Sequence, residues 1–242
     1  MAITVPIFLK ADKNNSLKIK MIPMDKQIEK RTIGLEFRKV GDNDRTIEGR
    51  AIVFNSLSQD LGGFKEKISP DAVSRELIDN SDIFMLYNHD RSKGFLARSK
   101  YGKGTLSTEI RDDGVYFKFE APNTELANEV MEHMKRGDID QCSFAFTVED
   151  DTWERQEDDS YIRTINSISR LYDFSIVDTP AYLNTECSCA RFQEIQEADK
   201  KALEEQREKE EREAQEKRDN ELKEYFTNLR NDNEKYLKAD KQ

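Results

Sequence analysis

Gln141-Cys142-Ser143-Phe144-Ala145-Phe146 sets a period of two, with small residues at 143 and 145 alternating with aromatic rings at 144 and 146. That period belongs to a β-strand with one buried face. Phe144 and Phe146 turn toward a core, while Ser143 and Ala145 share the other face, where a small neighbour leaves room beside the hydroxyl for a peptide backbone. Downstream, Leu171-Tyr172-Asp173-Phe174-Ser175-Ile176-Val177 alternates again, with Asp173 on the face of Leu171 and Ser175. Upstream, Ile83 to Tyr87 is a short apolar run that reads as a buried strand and delivers His89 at its end.

Strands therefore carry a serine, a histidine and an acid. These are the side chains of a hydrolase that attacks with serine, uses histidine as base and orients the imidazole with a carboxylate. Their order along the chain, His89, Ser143, Asp173, differs from the chymotrypsin, subtilisin and α/β-hydrolase orders. Each residue also has a plainer reading. Ser143 fits the solvent side of a strand, and His89 an ordinary turn. Asp173 must be paired if buried, and a salt bridge to Arg163 or Arg170 would serve as well as a histidine. Asp90 adjoins His89, but neighbours on extended backbone point apart; Asp178, in the following turn, is the second choice of acid. Cys142 points away from Ser143 and packs as a small hydrophobe. His133, the other histidine, reads as a surface residue of a helix. A Glu129/His133 pair would need a second histidine to hold a metal. Neither a metal nor another cofactor is expected.

Around these strands the pattern is that of an α+β domain. Ile33, Leu35 and Phe37 alternate, Gly41-Asp42-Asn43-Asp44 turns the chain, and Ile47, Gly49, Ala51 and Val53 alternate again, an antiparallel hairpin. Leu61-Gly62-Gly63-Phe64 reads as a loop. Ser69 and Pro70 open a short helix reaching about Asp79. Leu106 to Arg111 and Val115 to Glu120 flank the turn Asp112-Asp113-Gly114. Asn123 caps a helix over 124–136, which Gly137 ends. Cys142 to Val148, Tyr161 to Ile168 and Leu171 to Val177 add three strands. The sum predicts a small, mostly antiparallel barrel or sandwich with flanking helices.

The chain of 242 residues has room for one domain and appendages. Residues 1–31 show no clear period and are read as a flexible arm, 32–190 as the domain, and 191–242 as a charged helical tail. The tail holds no glycine or proline, and acid-first pairs such as Glu197/Lys201 and Glu205/Lys209 favour a solvated helix. Apolar residues nearly vanish from Glu204 to Asn220, where Ala214 stands alone, and return as Leu222, Tyr225, Phe226 and Leu229, with no sustained apolar heptad for a coiled coil along its length. A net charge of −10 argues against nucleic acid as a direct partner. No apolar stretch approaches the roughly 18 residues of a membrane span, and Cys142, Cys187 and Cys189 cannot all pair. A cytoplasmic location is expected.

Taken in order, five stretches resemble one family: Glu48-Gly49-Arg50-Ala51-Ile52-Val53-Phe54-Asn55-Ser56, Phe64-Lys65-Glu66-Lys67-Ile68-Ser69-Pro70-Asp71-Ala72, Asn88-His89-Asp90, Cys142-Ser143-Phe144-Ala145-Phe146 and Asp173-Phe174-Ser175-Ile176-Val177-Asp178-Thr179-Pro180-Ala181-Tyr182. The chain looks like a prohead protease of the tailed bacteriophages from about Thr32 to Ala190. The resemblance implies a serine endopeptidase with a herpesvirus-assemblin-like barrel. Such an enzyme is enclosed in the immature capsid of the host cytoplasm, where it cuts scaffold or the scaffolding segment of the major capsid protein, and itself. It also implies His89 as base and Ser143 as nucleophile. Asp173 falls where many members carry glutamate, and Ala145 where glycine is frequent. A homo-oligomer is expected. The competing reading is a catalytically inactive, protease-like scaffolding or assembly protein.

Overall fold

The computed structural model describes residues 8–11, 17–21, 27–34, 38–39, 45–178 and 186–239. In chain order the strands are β1 (Phe8–Ala11), β2 (Leu17–Met21), β3 (Glu29–Gly34), β4 (Arg38–Lys39), β5 (Thr46–Val53), β6 (Phe64–Ile68), β7 (Asp82–Tyr87), β8 (Ala97–Lys100), β9 (Lys103–Gly104), β10 (Ser107–Arg111), β11 (Gly114–Glu120), β12 (Gln141–Arg155) and β13 (Tyr161–Val177). The α-helices are α1 (Arg75–Asp79), α2 (Glu125–Arg136) and α3 (Glu186–Ala239). Two 3₁₀ turns, Pro70–Ala72 and Arg91–Lys93, complete the mixed, mostly stranded α+β architecture.

One sheet runs β1-β2-β12-β13-β7-β8-β9, with β3 also on β12 and β6 also on β13; a second runs β10-β11-β5-β4. All pairs are antiparallel except β6 and β7, which run parallel to β13. The expected barrel is not formed: among the described residues no ladder joins the ends of either sheet. The cause lies in the two long central strands. β12 pairs with β3 over Gln141 to Phe146 and with β2 over Asp151 to Glu154. β13 pairs with β6 over Tyr161 to Ile165 and with β7 over Asp173 to Ile176. Each thus changes neighbour along its length, and register shifts between Ala145 and Asp151 bend the ladder there. The sheet therefore branches at its two central strands, and among the described residues its outer strands β1 and β9 meet no closing partner.

Other elements depart from expectation for local reasons. Nothing between Ile168 and Leu171 breaks extended backbone, so the two strands expected there are the single β13. Of the strand expected over 33–37, residues 33–34 end β3, which joins the nine-stranded sheet, and 35–37 lie outside the described residues; β4 beyond them pairs with β5. Its turn, 41–44, lies outside the described residues. β1 and β2, within the stretch read as an arm, pair with each other, and β2 pairs with β12. Ser69 caps a 3₁₀ turn, and Ser74, in extended conformation, starts α1 afresh by accepting a hydrogen bond from the Leu77 N–H. Thr124 rather than Asn123 caps α2, and Gly137 ends it in the left-handed region at φ 79°.

Alternation on the central strands separates two faces. Phe144 and Phe146 of β12, Phe174 and Ile176 of β13, and Ile83 and Met85 of β7 enter one hydrophobic core with the second sheet. Phe117 of β11 meets Phe174 at 6.4 Å between ring centroids. Away from the site, five charged residues are buried together. The Arg163 guanidinium donates to Glu29, Glu66 and Asp151 at 2.7–3.0 Å, and Arg31 donates to Glu66 at 2.7 and 2.8 Å. Burial pushes the Glu29 carboxyl up, but Arg163 and Arg31 outweigh it and bring the pKa down to about 2. The chain divides into two compact units, 1–193 and 194–242. In the second, the helix is polar from Glu204 to Asn220 apart from Ala214, and Leu222, Tyr225 and Phe226 are exposed.

Candidate active site

Register brings the candidate residues onto one face. Ser143 lies opposite Ser175 and Ala145 opposite Asp173 on the β12–β13 ladder, while Asp173 pairs with Phe84 and Ser175 with Leu86 on β7. These side chains point away from the core face carrying Phe144 and Phe174. The chain then leaves β7 through two consecutive left-handed residues, Asn88 (φ 53°) and His89 (φ 57°). That conformation is ordinary for asparagine and costs histidine about 1 kcal/mol or more. It reverses the chain tightly enough to fold the imidazole back over the sheet.

Hydrogen bonds hold the turn. The Asn88 N–H donates to the Ile176 carbonyl at 3.0 Å, and the Asp90 N–H to the Tyr87 carbonyl at 3.1 Å. Asn88 Nδ2 and Tyr87 Oη donate to Asp178 Oδ2 at 2.9 and 2.8 Å, and the Asp178 N–H returns a bond to Asn88 Oδ1 at 3.2 Å. Burial, reinforced by the bond to Asp178, pushes the Tyr87 hydroxyl up to about 12, so it remains a donor. Asp178 therefore fastens the turn. Asp90 accepts from the Ser92 N–H at 2.9 Å and caps the 3₁₀ turn.

Within this frame His89 Nδ1 lies 2.6 Å from Asp173 Oδ1, and His89 Nε2 lies 2.7 Å from Ser143 Oγ. With the proton on Nδ1 donated to the carboxylate, Nε2 is left to accept from the serine hydroxyl; this network assigns the tautomer. Such a line can take the hydroxyl proton as the oxygen attacks a carbonyl. Asp173 makes neither of the salt bridges that the sequence left open. Arg163 is bound in the ionic cluster, and the Arg170 guanidinium carbon lies 5.0 Å from the Tyr172 ring centroid.

Ser175 is the member that sequence reasoning missed. Its hydroxyl donates to Asp173 Oδ1 at 2.7 Å and accepts the His89 N–H at 3.2 Å, so it touches both the acid and the backbone of the base. The available signal was its place two residues after Asp173 on the same strand face. Ser143 and Ser175 are fully buried, and the His89 side chain is only 6% exposed. The Ser143 hydroxyl is thus closed to solvent in this structure.

The remaining candidates stay apart. The Cys142 thiol is buried, and burial pushes its pKa well above the usual range, which leaves it inert as a nucleophile. His133 Nδ1 sits 3.1 Å from Asp138 Oδ2 on the exposed end of α2. Among the described residues no group of three His, Cys, Asp or Glu side chains is placed to hold a metal ion.

The sequence model of the caudovirus prohead serine proteases matches residues 33–201, well over half of the chain. The chain belongs to that family. No curated protein and no solved structure matches it. Membership in the prohead serine proteases points to a serine peptidase of phage head maturation, located inside the procapsid among phage capsid proteins. Among the described residues no helix is long and apolar enough to cross a membrane.

Proposed function

We propose that this chain is a serine endopeptidase that cuts scaffold, or the scaffolding segment of the capsid protein, and itself inside the procapsid. Ser143 is the nucleophile, His89 the general base and Asp173 the residue that orients the imidazole. The observation that carries this reading is the unbroken line Ser143 Oγ, His89 Nε2, His89 Nδ1, Asp173 Oδ1, with gaps of 2.7 and 2.6 Å. In the first step the Ser143 hydroxyl gives its proton to Nε2 while Oγ bonds to the peptide carbonyl carbon. The resulting imidazolium returns that proton to the departing amine, leaving an acyl-enzyme. Water, deprotonated by the same nitrogen, then attacks the ester and releases the acid. Asp173 keeps its charge throughout and stabilises the imidazolium. Residues 32–190 form the peptidase domain in this reading, with 1–31 as an arm and 191–242 as a tail that holds the enzyme to capsid or scaffold subunits until it is cut away.

The full burial of Ser143 is the one observation that favours the second reading, an assembly protein whose site is unused. Co-expression with the capsid protein separates the two. The peptidase yields shortened capsid protein and self-cleaved chain, both lost in Ser143→Ala. Shells that assemble identically from either version, with no shortening, would establish the assembly protein instead.

A further inference from the structure

We infer that Arg91, Lys93 and Phe95, beside His89, form a substrate subsite that selects a carboxylate side chain in the peptide presented to Ser143. This rests on the peptidase reading above. The 3₁₀ turn Arg91–Lys93 begins two residues after His89, a span of about 7 Å at most. The Arg91 guanidinium carbon lies 3.9 Å from the centroid of Phe84. Phe84 is the register partner of Asp173, on the sheet face that carries Ser143 and Ser175. The guanidinium therefore lies along that face, on the far side of the acid from the nucleophile strand.

The charges there are unequally used. Arg98, 4.5 Å from the same ring, is held by both oxygens of Asp82, and Asp90 is occupied by Ser92. Arg91 and Lys93 are exposed; each helps to lower a nearby carboxyl, Asp82 and Asp90 respectively, but among the described residues neither is held by a direct salt bridge of the kind that Arg98 makes with Asp82. Both are pre-positioned by rings: Arg91 by Phe84, and Lys93 by Tyr87 with Nζ 5.6 Å from its centroid. Phe95, half exposed and edge-on to Phe84 at 5.7 Å, adds an apolar wall for the methylene stem of the bound side chain. A planar guanidinium fixed against a ring and free along its outer edge matches a carboxylate through two parallel N–H bonds. In a chain of net charge −10, two exposed cations close to His89 in sequence, with Arg98 as a third against the two carboxyls Asp82 and Asp90, favour acidic segments locally while the rest of the surface repels them.

The test is digestion of a proteome-derived peptide library by the full chain, with cut ends read by mass spectrometry. Wild type is expected to enrich Asp or Glu at one fixed position from the cut bond. Arg91→Gln and Lys93→Gln should each lower that enrichment about threefold to fivefold. Arg91→Glu should turn it toward Lys or Arg, a reversal that loss of folding cannot produce; Lys209→Gln, on the tail, should leave it intact. No acidic preference in wild type, or the same preference in the Arg91→Gln/Lys93→Gln double variant, would overturn the subsite and leave the peptidase reading standing. Cleavage that persists in Ser143→Ala, or no cleavage by wild type, would instead overturn the peptidase reading, and the subsite with it.

Discussion

Replacing Ser175 with alanine separates a working relay from three side chains that merely lie close. The hydroxyl is fully buried, donates to Asp173 Oδ1 at 2.7 Å and accepts from the His89 N–H at 3.2 Å. Alanine leaves that main-chain N–H buried without its acceptor, at about 1–3 kcal/mol. It also removes a hydrogen bond to a carboxylate, worth about 1.5–3 kcal/mol. Part of the loss falls on global stability and part on the poise of the imidazole. If about 1.4–2.7 kcal/mol falls on the reactive geometry, kcat drops about tenfold to a hundredfold. KM should stay within twofold, because Ser175 lies beneath the imidazole and is not exposed to a bound peptide. Steady-state cleavage of purified capsid protein, alongside a thermal melt, reads both quantities. A folded Ser175→Ala enzyme with kcat within twofold of wild type, beside an inactive Ser143→Ala control, would refute the reasoning.

Three further outcomes follow from the same geometry. Asp173→Asn should retain the fold and lower kcat about 10³- to 10⁴-fold, because an amide no longer holds the proton on Nδ1; the same cleavage assay measures it. Arg163→Met leaves the buried carboxylates of Glu29 and Glu66 to share Arg31 and takes the Arg163 ion pair away from buried Asp151, and should destabilise the domain by about 3–5 kcal/mol in urea unfolding. The pH dependence of stability should carry the mark of Glu29, whose folded pKa is depressed from 4.5 to about 2. A depressed carboxyl stabilises the fold above its unfolded pKa and loses that contribution as pH falls. Stability should therefore drop between about pH 4.5 and 2, by an amount on the order of 3 kcal/mol. A wild-type profile flat across that window would contradict the assignment.

The faces of the site strands were legible because side-chain alternation is a local property. Ser143 and Asp173 could be set opposite the aromatic residues of their own strands without knowing any neighbour. Which strand lies beside which is not local. The pairing of Ser143 with Ser175 and of Asp173 with Phe84 comes from long-range ladders, so Ser175 was invisible as a contact of His89. Barrel closure failed for the same reason, since counting strands does not say whether the edge strands meet. The ionic cluster was hidden more thoroughly. Glu29 and Arg31 look like surface residues of a polar stretch, and the partner that buries Glu29, Arg163, is 134 positions away. The left-handed pair at Asn88 and His89 had a weak cue, asparagine after an apolar run, which marks a turn but not its direction.

The nucleophile strand is flanked by a strand made early and one made late. Thr32 lies opposite Ser143 on one side and Ser175 on the other, while His89 waits for Asp173 and Ile176 before its turn is fastened. A ribosome that has emitted the base and the nucleophile has still not supplied the acid, so the nascent chain carries no assembled relay until translation has passed Val177. Topology of this kind also folds slowly, because its pairings close long loops. Delay is thereby written into the order of the strands: the catalytic apparatus becomes available only after most of the polypeptide that could be its first victim has been made.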